Sequence, residues 1–335
     1  MTKSVVLTAV AVLTIGSTFA SASDLTNLAS PAPLSGGTPG TASAGSLSAA
    51  ETMVADSAVQ TFRNWVNSSL SGPNGTPDWL KRFEIEASKQ GSQNPIFSIL
   101  TVQPLYQSEG KVDTVFTQLR FAGQSRFGED RYTTNAGLGY RRLAFDNMAL
   151  FGVNGFYDYE APYDHARVGL GAEARTSVAE LNTNLYRAVS GKAVVGPGIT
   201  ERPLNGGDVE LGVQVPYLPW AKVFGKEFLY KSVDAPKDIV GQTYSAQITP
   251  LPYMRMEGGV TRDNTNATDA FLKLSFSLAF GADGNSAASK IVADRPYEMA
   301  SMVDHTLDKV RRENTIAVER VATTNGISVV IGRSN

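Results

Sequence analysis

Between Arg82 and Gly281, apolar and polar residues alternate with a period of two. In the clearest stretch, Ala166, Val168, Leu170, Ala172 and Ala174 alternate with Arg167, Gly169, Gly171, Glu173 and Arg175. An extended strand sends successive side chains to opposite faces, so each such segment has one apolar and one polar side. Val209–Val215, Tyr132–Tyr140, Met254–Val260 and Leu272–Phe280 repeat the pattern. Twelve segments result, at about 82–88, 96–106, 112–122, 130–142, 147–158, 165–175, 179–189, 207–216, 222–230, 241–248, 252–262 and 269–280. Those at 96–106 and 222–230 alternate least cleanly.

Strands of about 9–11 residues suit a tilted crossing of a bilayer. Lipid offers the backbone no hydrogen-bond partner, so a sheet placed there has to close on itself. The spacing predicts an all-β fold: a twelve-stranded antiparallel transmembrane β-barrel over 81–281, apolar side to the lipid and polar side to the lumen. A soluble sandwich would alternate too, but with its apolar side inward. Tyr132, Tyr140, Tyr157, Tyr159, Tyr186, Tyr217, Trp220 and Tyr230, near segment ends, fit lipid-side aromatic girdles. Connections after even-numbered segments are short, whereas 190–206, 123–129 and 231–240 are longer. Barrels of this kind keep short turns in the periplasm and long loops outside. The first strand then runs outward and both barrel ends lie on the periplasmic side.

The flanking segments differ in kind. Lys3, the apolar run Val5–Ile15 and Ala20-Ser21-Ala22 predict a signal peptide over 1–22, hence export and an outer-membrane location. Residues 23–48, rich in Ser, Ala, Gly, Thr and Pro, predict a flexible linker. Residues 49–80 predict a periplasmic helical segment, with Met53, Val54, Val59, Phe62, Trp65 and Val66 at helical intervals over 49–70. Lys+Arg (30) balances Asp+Glu (32), so nucleic acid is not an expected partner. Without cysteine there is no disulfide or thiolate metal site. No G-x-S-x-G or P-loop motif occurs, and no cofactor or metal is expected. His165 beside Asp164 could form a proton-transfer pair, but a hydrogen bond at a loop base needs no chemistry, and the chain is not expected to be an enzyme.

The polar faces carry Arg120, Arg141, Arg167, Glu173, Arg175, Glu180, Glu210, Glu227, Arg255 and Glu257 as lumen-facing candidates. Their mixed sign suits either a lining that holds a threaded segment or a network that pairs with itself. Residues 282–335 form a C-terminal linker or lumen segment. Within it 294–320 reads as a helix, with Tyr297, Met302 or Val303, Leu307, Val310 and Ala317 on one side and Arg311 and Arg312 elsewhere. It would either plug the lumen or stay below it in the periplasm. Ile327–Ile331 is a short strand candidate with no evident partner.

A series of motifs adds a resemblance. They are Gly137-Leu-Gly-Tyr-Arg-Arg, Leu150-Phe-Gly-Val-Asn-Gly-Phe-Tyr-Asp158, Asp164-His-Ala-Arg-Val-Gly-Leu-Gly-Ala-Glu-Ala174, Leu181-Asn-Thr-Asn-Leu-Tyr186, Ser190-Gly, Glu201-Arg-Pro-Leu-Asn-Gly-Gly-Asp208 and Val215-Pro-Tyr-Leu-Pro219. In this order they resemble the β-domain of the inverse autotransporters, the intimin/invasin family. Arg295-Pro-Tyr-Glu298 and Val310–Glu319 resemble the segment after that family's barrel. The resemblance implies a twelve-stranded barrel that anchors the chain and passes its own C-terminal segment through the lumen to the cell surface. It also implies periplasmic chaperones and the barrel-assembly machinery as partners during biogenesis. No peptidoglycan-binding module and no immunoglobulin-like repeat is recognised in these residues, so a stand-alone pore or structural barrel, or a truncated surface adhesin, stays open. No residue points to a host or cell-surface receptor.

Overall fold

The alternating segments become strands, and the strands close. The computed structural model describes residues 78–251, 253–265, 268–277, 292–324 and 327–334. The signal peptide, the linker and the helix expected at 49–70 lie outside the described residues. Asp78–Lys81 is a single helical turn. The barrel strands are β1 (Phe83–Gln90), β2 (Ile96–Gln107), β3 (Asp113–Arg126), β4 (Glu129–Ala144), β5 (Ala149–Ala161), β6 (His165–Thr176) and β7 (Ala179–Ala188). After a connection bearing the short strands β8 (Ala193–Gly196) and β9 (Ile199–Pro203), the barrel resumes with β10 (Asn205–Val215), β11 (Leu218–Lys231), β12 (Ile239–Leu251), β13 (Met254–Asp263) and β14 (Asp269–Ser277). Every neighbouring pair is antiparallel, and β1 closes the ring by pairing with β2 on one side and β14 on the other (Ile85 opposite Ile99 and Phe276).

The two faces reverse the usual order of a water-soluble core. Leu138, Leu170 and Leu185 are 60%, 68% and 67% exposed, while Arg131, Arg141 and Arg167 are fully buried. Charged side chains line the inside and aliphatic ones the outside, the arrangement a lipid surround demands.

Strand parity corrects several expectations. Tyr186 and Tyr230 are not girdle residues. They share a face with Asn184 and Phe228 and are buried in the lumen. Glu227 points outward, where Gln242 donates to it. The expected loop at 123–129 is a two-residue turn, Phe127–Gly128, with both residues at positive φ. β3 and β4 run on past their lipid-facing stretch because Arg126 and Arg131 are held in an ion cluster at the barrel mouth.

The C-terminal segment is the largest correction. Residues 308–317 form no helix, and the only turn between 292 and 317 assigned as helical is the 3-10 turn Val303–His305, which Thr306 and Leu307 complete. An α-helix over 306–317 would reach about 18 Å. The same residues extended reach about 40 Å, enough to pass an apolar band about 25 Å tall. Beyond the lumen, β15 (Val318–Thr324) pairs with β9, and β16 (Ile327–Ser334) pairs with β15. The candidate strand Ile327–Ile331 therefore has a partner, in a four-stranded sheet ordered β16-β15-β9-β8.

Candidate functional site

The site is the occupied lumen. The tail enters at the short-turn end, where Ala293 N donates to Tyr217 O (2.8 Å) and Met302 N to Asn147 O (2.7 Å). It leaves at the long-loop end, where Leu204 N donates to Ala317 O (2.9 Å). Three apolar contacts fix its depth. Met302 packs with Leu143 and Leu150, Val310 with Leu100, Val102, Phe116 and Phe156, and Ala317 with Leu204, Tyr230 and Ile239. Leu307 packs against the middle cluster.

Between these anchors each charged side chain of the tail meets a charged wall. Lys309 bonds Glu84 and Glu86 on β1 (Glu86 at 2.9 Å). Arg311 forks onto Glu210 of β10 (2.5 and 3.2 Å) and Glu257 of β13 (3.0 and 3.4 Å). Arg312 takes Asp158 of β5 bidentately (2.9 and 2.7 Å), and Arg167 of β6 bonds the same carboxylate (2.8 Å). Asp308 accepts from Arg175 (2.8 Å). Breaking a buried charge pair by removing one member costs about 3–5 kcal/mol, because the other is left in low dielectric.

The tail's backbone is satisfied by barrel side chains, which explains why it has no need of a helix. Arg141 donates to the carbonyls of Thr306 (3.1 Å) and Asp308 (2.6 Å), while its other edge grips Glu173 (2.6 and 3.2 Å). Arg167 donates to Glu313 O (2.6 Å), Asn184 to Arg311 O (3.1 Å) and Asn135 to Asn314 O (2.9 Å). Gln118 accepts from Val310 N (2.8 Å), and Tyr186 Oη from Glu313 N (2.8 Å). These groups supply the partners that a helix would find within its own backbone.

Four aromatic rings support the arginines, and each faces a glycine on the next strand. Phe116 lies under Arg141 and opposite Gly139; Phe156 lies under Arg312 and opposite Gly137. Phe224 lies under Arg311 (3.8 Å to the ring centre) and opposite Gly212, and Tyr186 lies under Arg167 and opposite Gly169. A Cβ at Gly137 would overlap the Phe156 ring. Gly137→Val is expected to displace that ring into Arg312 and destabilise the barrel by about 1–3 kcal/mol. Gly155→Ala on the lipid side meets only ordinary contacts and is expected to be neutral. Melting of the heat-modifiable band distinguishes the two; equal melting would refute the packing argument.

The barrel mouth carries a second cluster. Glu201 of β9 accepts from both ends of Arg131 (2.8 and 2.9 Å), from Arg320 of the emerged tail (3.0 Å) and lies 3.2 Å from His165 Nε2. Arg131 and Arg126 also share Glu160 (3.0 Å each). Burial raises the Glu201 carboxyl, but the His165 and Arg131 hydrogen bonds and the charges of Arg131 and Arg126 outweigh it and hold the group at about 2. Farther out, Glu319 accepts the backbone N–H groups of Val233, Asp234 and Ala235 (3.1, 2.8 and 3.1 Å), so the loop after β11 closes over the emerging strand.

The structure places Arg120, Arg141, Arg167, Glu173, Arg175, Glu180, Glu210, Arg255 and Glu257 in the lumen. It places Leu307, Val310, Arg311 and Arg312 of the tail there too. Tyr297 is outside it, 48% exposed near the short turns. His165 joins the mouth cluster rather than Asp164, which accepts from Tyr159. Sequence reasoning missed Glu84, Glu86, Gln118, Asn135, Asp158, Asn184 and Lys309. Parity with an already chosen residue of the same strand (Gln118 with Arg120, Asn135 with Arg141, Asn184 with Glu180) was the available signal.

The chain as a whole resembles known proteins. The model of the inverse autotransporter β-domain matches residues 39–314. The inverse autotransporter adhesin YeeJ of Escherichia coli (strain K12) is 27% identical over 289 residues, which are 81% of this chain and 12% of that protein. Invasin of Yersinia enterocolitica is 24% identical over 287 residues, 79% of this chain and 32% of that protein. A putative attaching and effacing protein homolog of Escherichia coli (strain K12) is 31% identical over 136 residues, 40% of this chain and 43% of its own length. The chain thus spans less than half the length of each of these three relatives. A solved structure from work on in-meso crystallization of membrane proteins superposes with a TM-score of 0.58 at 22% identity, covering 71% of this chain and 99% of that one. With a closed twelve-stranded barrel and a family match across most of its length, the chain belongs to the inverse autotransporter β-domain family, and its barrel is an outer-membrane barrel.

Proposed function

We propose that the barrel anchors the chain in the outer membrane and carries its own C-terminal segment to the cell surface, then keeps the trailing residues as a plug. The observation that carries this reading is the continuous path of the tail. It runs from Met302 at the short turns to Val318, which pairs with Pro203 beyond the opposite rim. An empty pore would not build bonds to backbone carbonyls along its axis, whereas a barrel that retains a translocated strand gains from each of them. Escort by periplasmic chaperones and insertion by the barrel-assembly machinery belong to the same proposal. Whatever is attached beyond β16 would be displayed outside.

The absence of cysteine makes a direct test simple. A thiol introduced by Ser334→Cys should react with a membrane-impermeant maleimide on intact cells. One introduced by Ser301→Cys, near the short turns, should react only after the outer membrane is permeabilised. Labelling of Ser301→Cys but not Ser334→Cys on intact cells would reverse the orientation and end the proposal.

A further inference from the structure

A polar group stands on the barrel's outer wall, facing lipid. Glu227 of β11 and Gln242 of β12 lie opposite each other, both exposed, and Gln242 Nε2 donates to the carboxylate (3.2 Å). Tyr244 Oη donates to Gln242 Oε1 (3.2 Å). Apolar pairs bracket this group along the same two strands: Leu229 with Val240 toward the long loops, and Val223 with Ala246 toward the short turns. The carboxylate therefore lies within the apolar band, where a charge is costly unless something more polar than a lipid tail covers it. Gln242 stands in turn opposite Arg262 of β13, which is exposed as well. Among the described residues neither Glu227 nor Arg262 forms an ion pair.

Beside this row the wall is hollow. A shallow depression of about 660 Å³ has Leu211, Val223 and Val260 on its sides and the small residues Gly225, Ala246 and Gly258 in its floor. Small residues let two membrane-embedded surfaces approach closely. The row itself reads negative, neutral, positive across three neighbouring strands, each about 4.8 Å from the next. A two-fold axis along the membrane normal, passing at Gln242, sets Glu227 of one copy against Arg262 of the other, twice, and Gln242 against Gln242. Such an interface is self-complementary and closes after two copies. Strand tilt inclines the row, and the flexible stems of Arg262 and Glu227 span the difference in height. A lipid phosphate would satisfy Arg262 but meet a like charge in Glu227, whereas a second copy answers both.

From this pattern we infer that the chain forms a side-by-side dimer in the outer membrane, a second copy covering the outer face of β11, β12 and β13. That face lies outside the lumen, so the dimer can fail while the export proposal stands.

The test uses the full chain in its native outer membrane, where the lack of cysteine makes an introduced thiol unique. Gln242→Cys, at the axis, should give a disulfide-linked dimer under mild oxidation. Leu170→Cys, also lipid-facing but on β6, should not. Added to Gln242→Cys, Glu227→Arg sets like charges together and should lower the dimer yield by about tenfold or more. Arg262→Glu should do the same, and the two reversals combined should restore the yield. Gly258→Leu should lower it with both charges intact, because a Cβ there has only ordinary contacts, at 3.7 Å or more, and the added bulk fills the depression rather than the barrel. Heat-modifiable mobility checks that each variant is folded; if a charge reversal is not, Glu227→Gln and Gly258→Leu decide, each by a lowered yield. Equal yields from Gln242→Cys and Leu170→Cys would show random collision and overturn the dimer, as would a double reversal that crosslinks no better than either single one.

Discussion

Asp158→Ala is expected to loosen the tail in the lumen more than any other single change there. The carboxylate is fully buried and accepts from Arg167 (2.8 Å), from both ends of Arg312 (2.9 and 2.7 Å) and from Asn135 (2.7 Å). Removing it leaves two guanidiniums side by side, each stacked on a ring that supplies some attraction but no charge. The cost is about 3–5 kcal/mol, the range for breaking a buried pair. Shared between two cations on different elements, it falls on the contact that joins tail to wall. The barrel ladder is untouched, so heat-modifiable mobility should persist. Single barrels in a planar bilayer should pass from a steady closed level to frequent openings. A shift of that size moves the closed-to-open ratio by upward of about a hundredfold. Asp158→Ala combined with Arg312→Ala should recover part of the loss in melting, since the second change removes one of the stranded charges. Conductance and melting both identical to the parent would show that the tail is not held through Asp158.

The barrel was legible because parity is a strong constraint: one slip of register exchanges every lipid-facing and lumen-facing side chain. Arg167, Glu173 and Arg175 declared the inner face of β6 from the sequence, and the faces of its neighbours followed. Tyr186 and Tyr230 were misassigned because residue type suggested a girdle where parity, applied strictly, pointed inward. The tail misled for a different reason. Val303, Leu307 and Val310 have helical spacing, yet the contacts that set the tail's course are Met302, Val310 and Ala317, dictated by three clusters on the barrel wall. A one-dimensional pattern cannot reveal hydrogen-bond partners supplied by distant strands, such as Gln118 for Val310 N or Arg141 for two carbonyls. The short strands β8 and β9 were hidden by length, and β15, which pairs with β9, lies more than a hundred residues downstream.

At the mouth, Glu201→Ala should detach the outer sheet from the barrel without opening the lumen. Glu201 joins three parts of the molecule: Arg131 of the barrel, His165 at the start of β6 and Arg320 of the emerged tail. Without it, Arg320 loses the carboxylate it holds at 3.0 Å and Arg131 keeps only Glu160 and Glu129, and the loss should again be about 3–5 kcal/mol. The sheet has a second tether in Glu319, held by three backbone N–H groups, so the expected outcome is local. Protease added to intact cells should cut within 189–204 or after Val318 several times faster than in the parent, while the barrel stays heat-modifiable. Acid should produce the same release. The folded-state value of Glu201, about 2, lies below its ordinary 4.5, so its stabilisation is complete above that ordinary value and fades as pH falls toward 2. Protection of the outer segment should therefore hold at neutral pH and decline between about 4.5 and 2. In Glu201→Ala the protection should be low at neutral pH and largely insensitive across that interval. Parent-like protection of Glu201→Ala at neutral pH would remove Glu201 as the lock and leave Glu319 as the tether that matters.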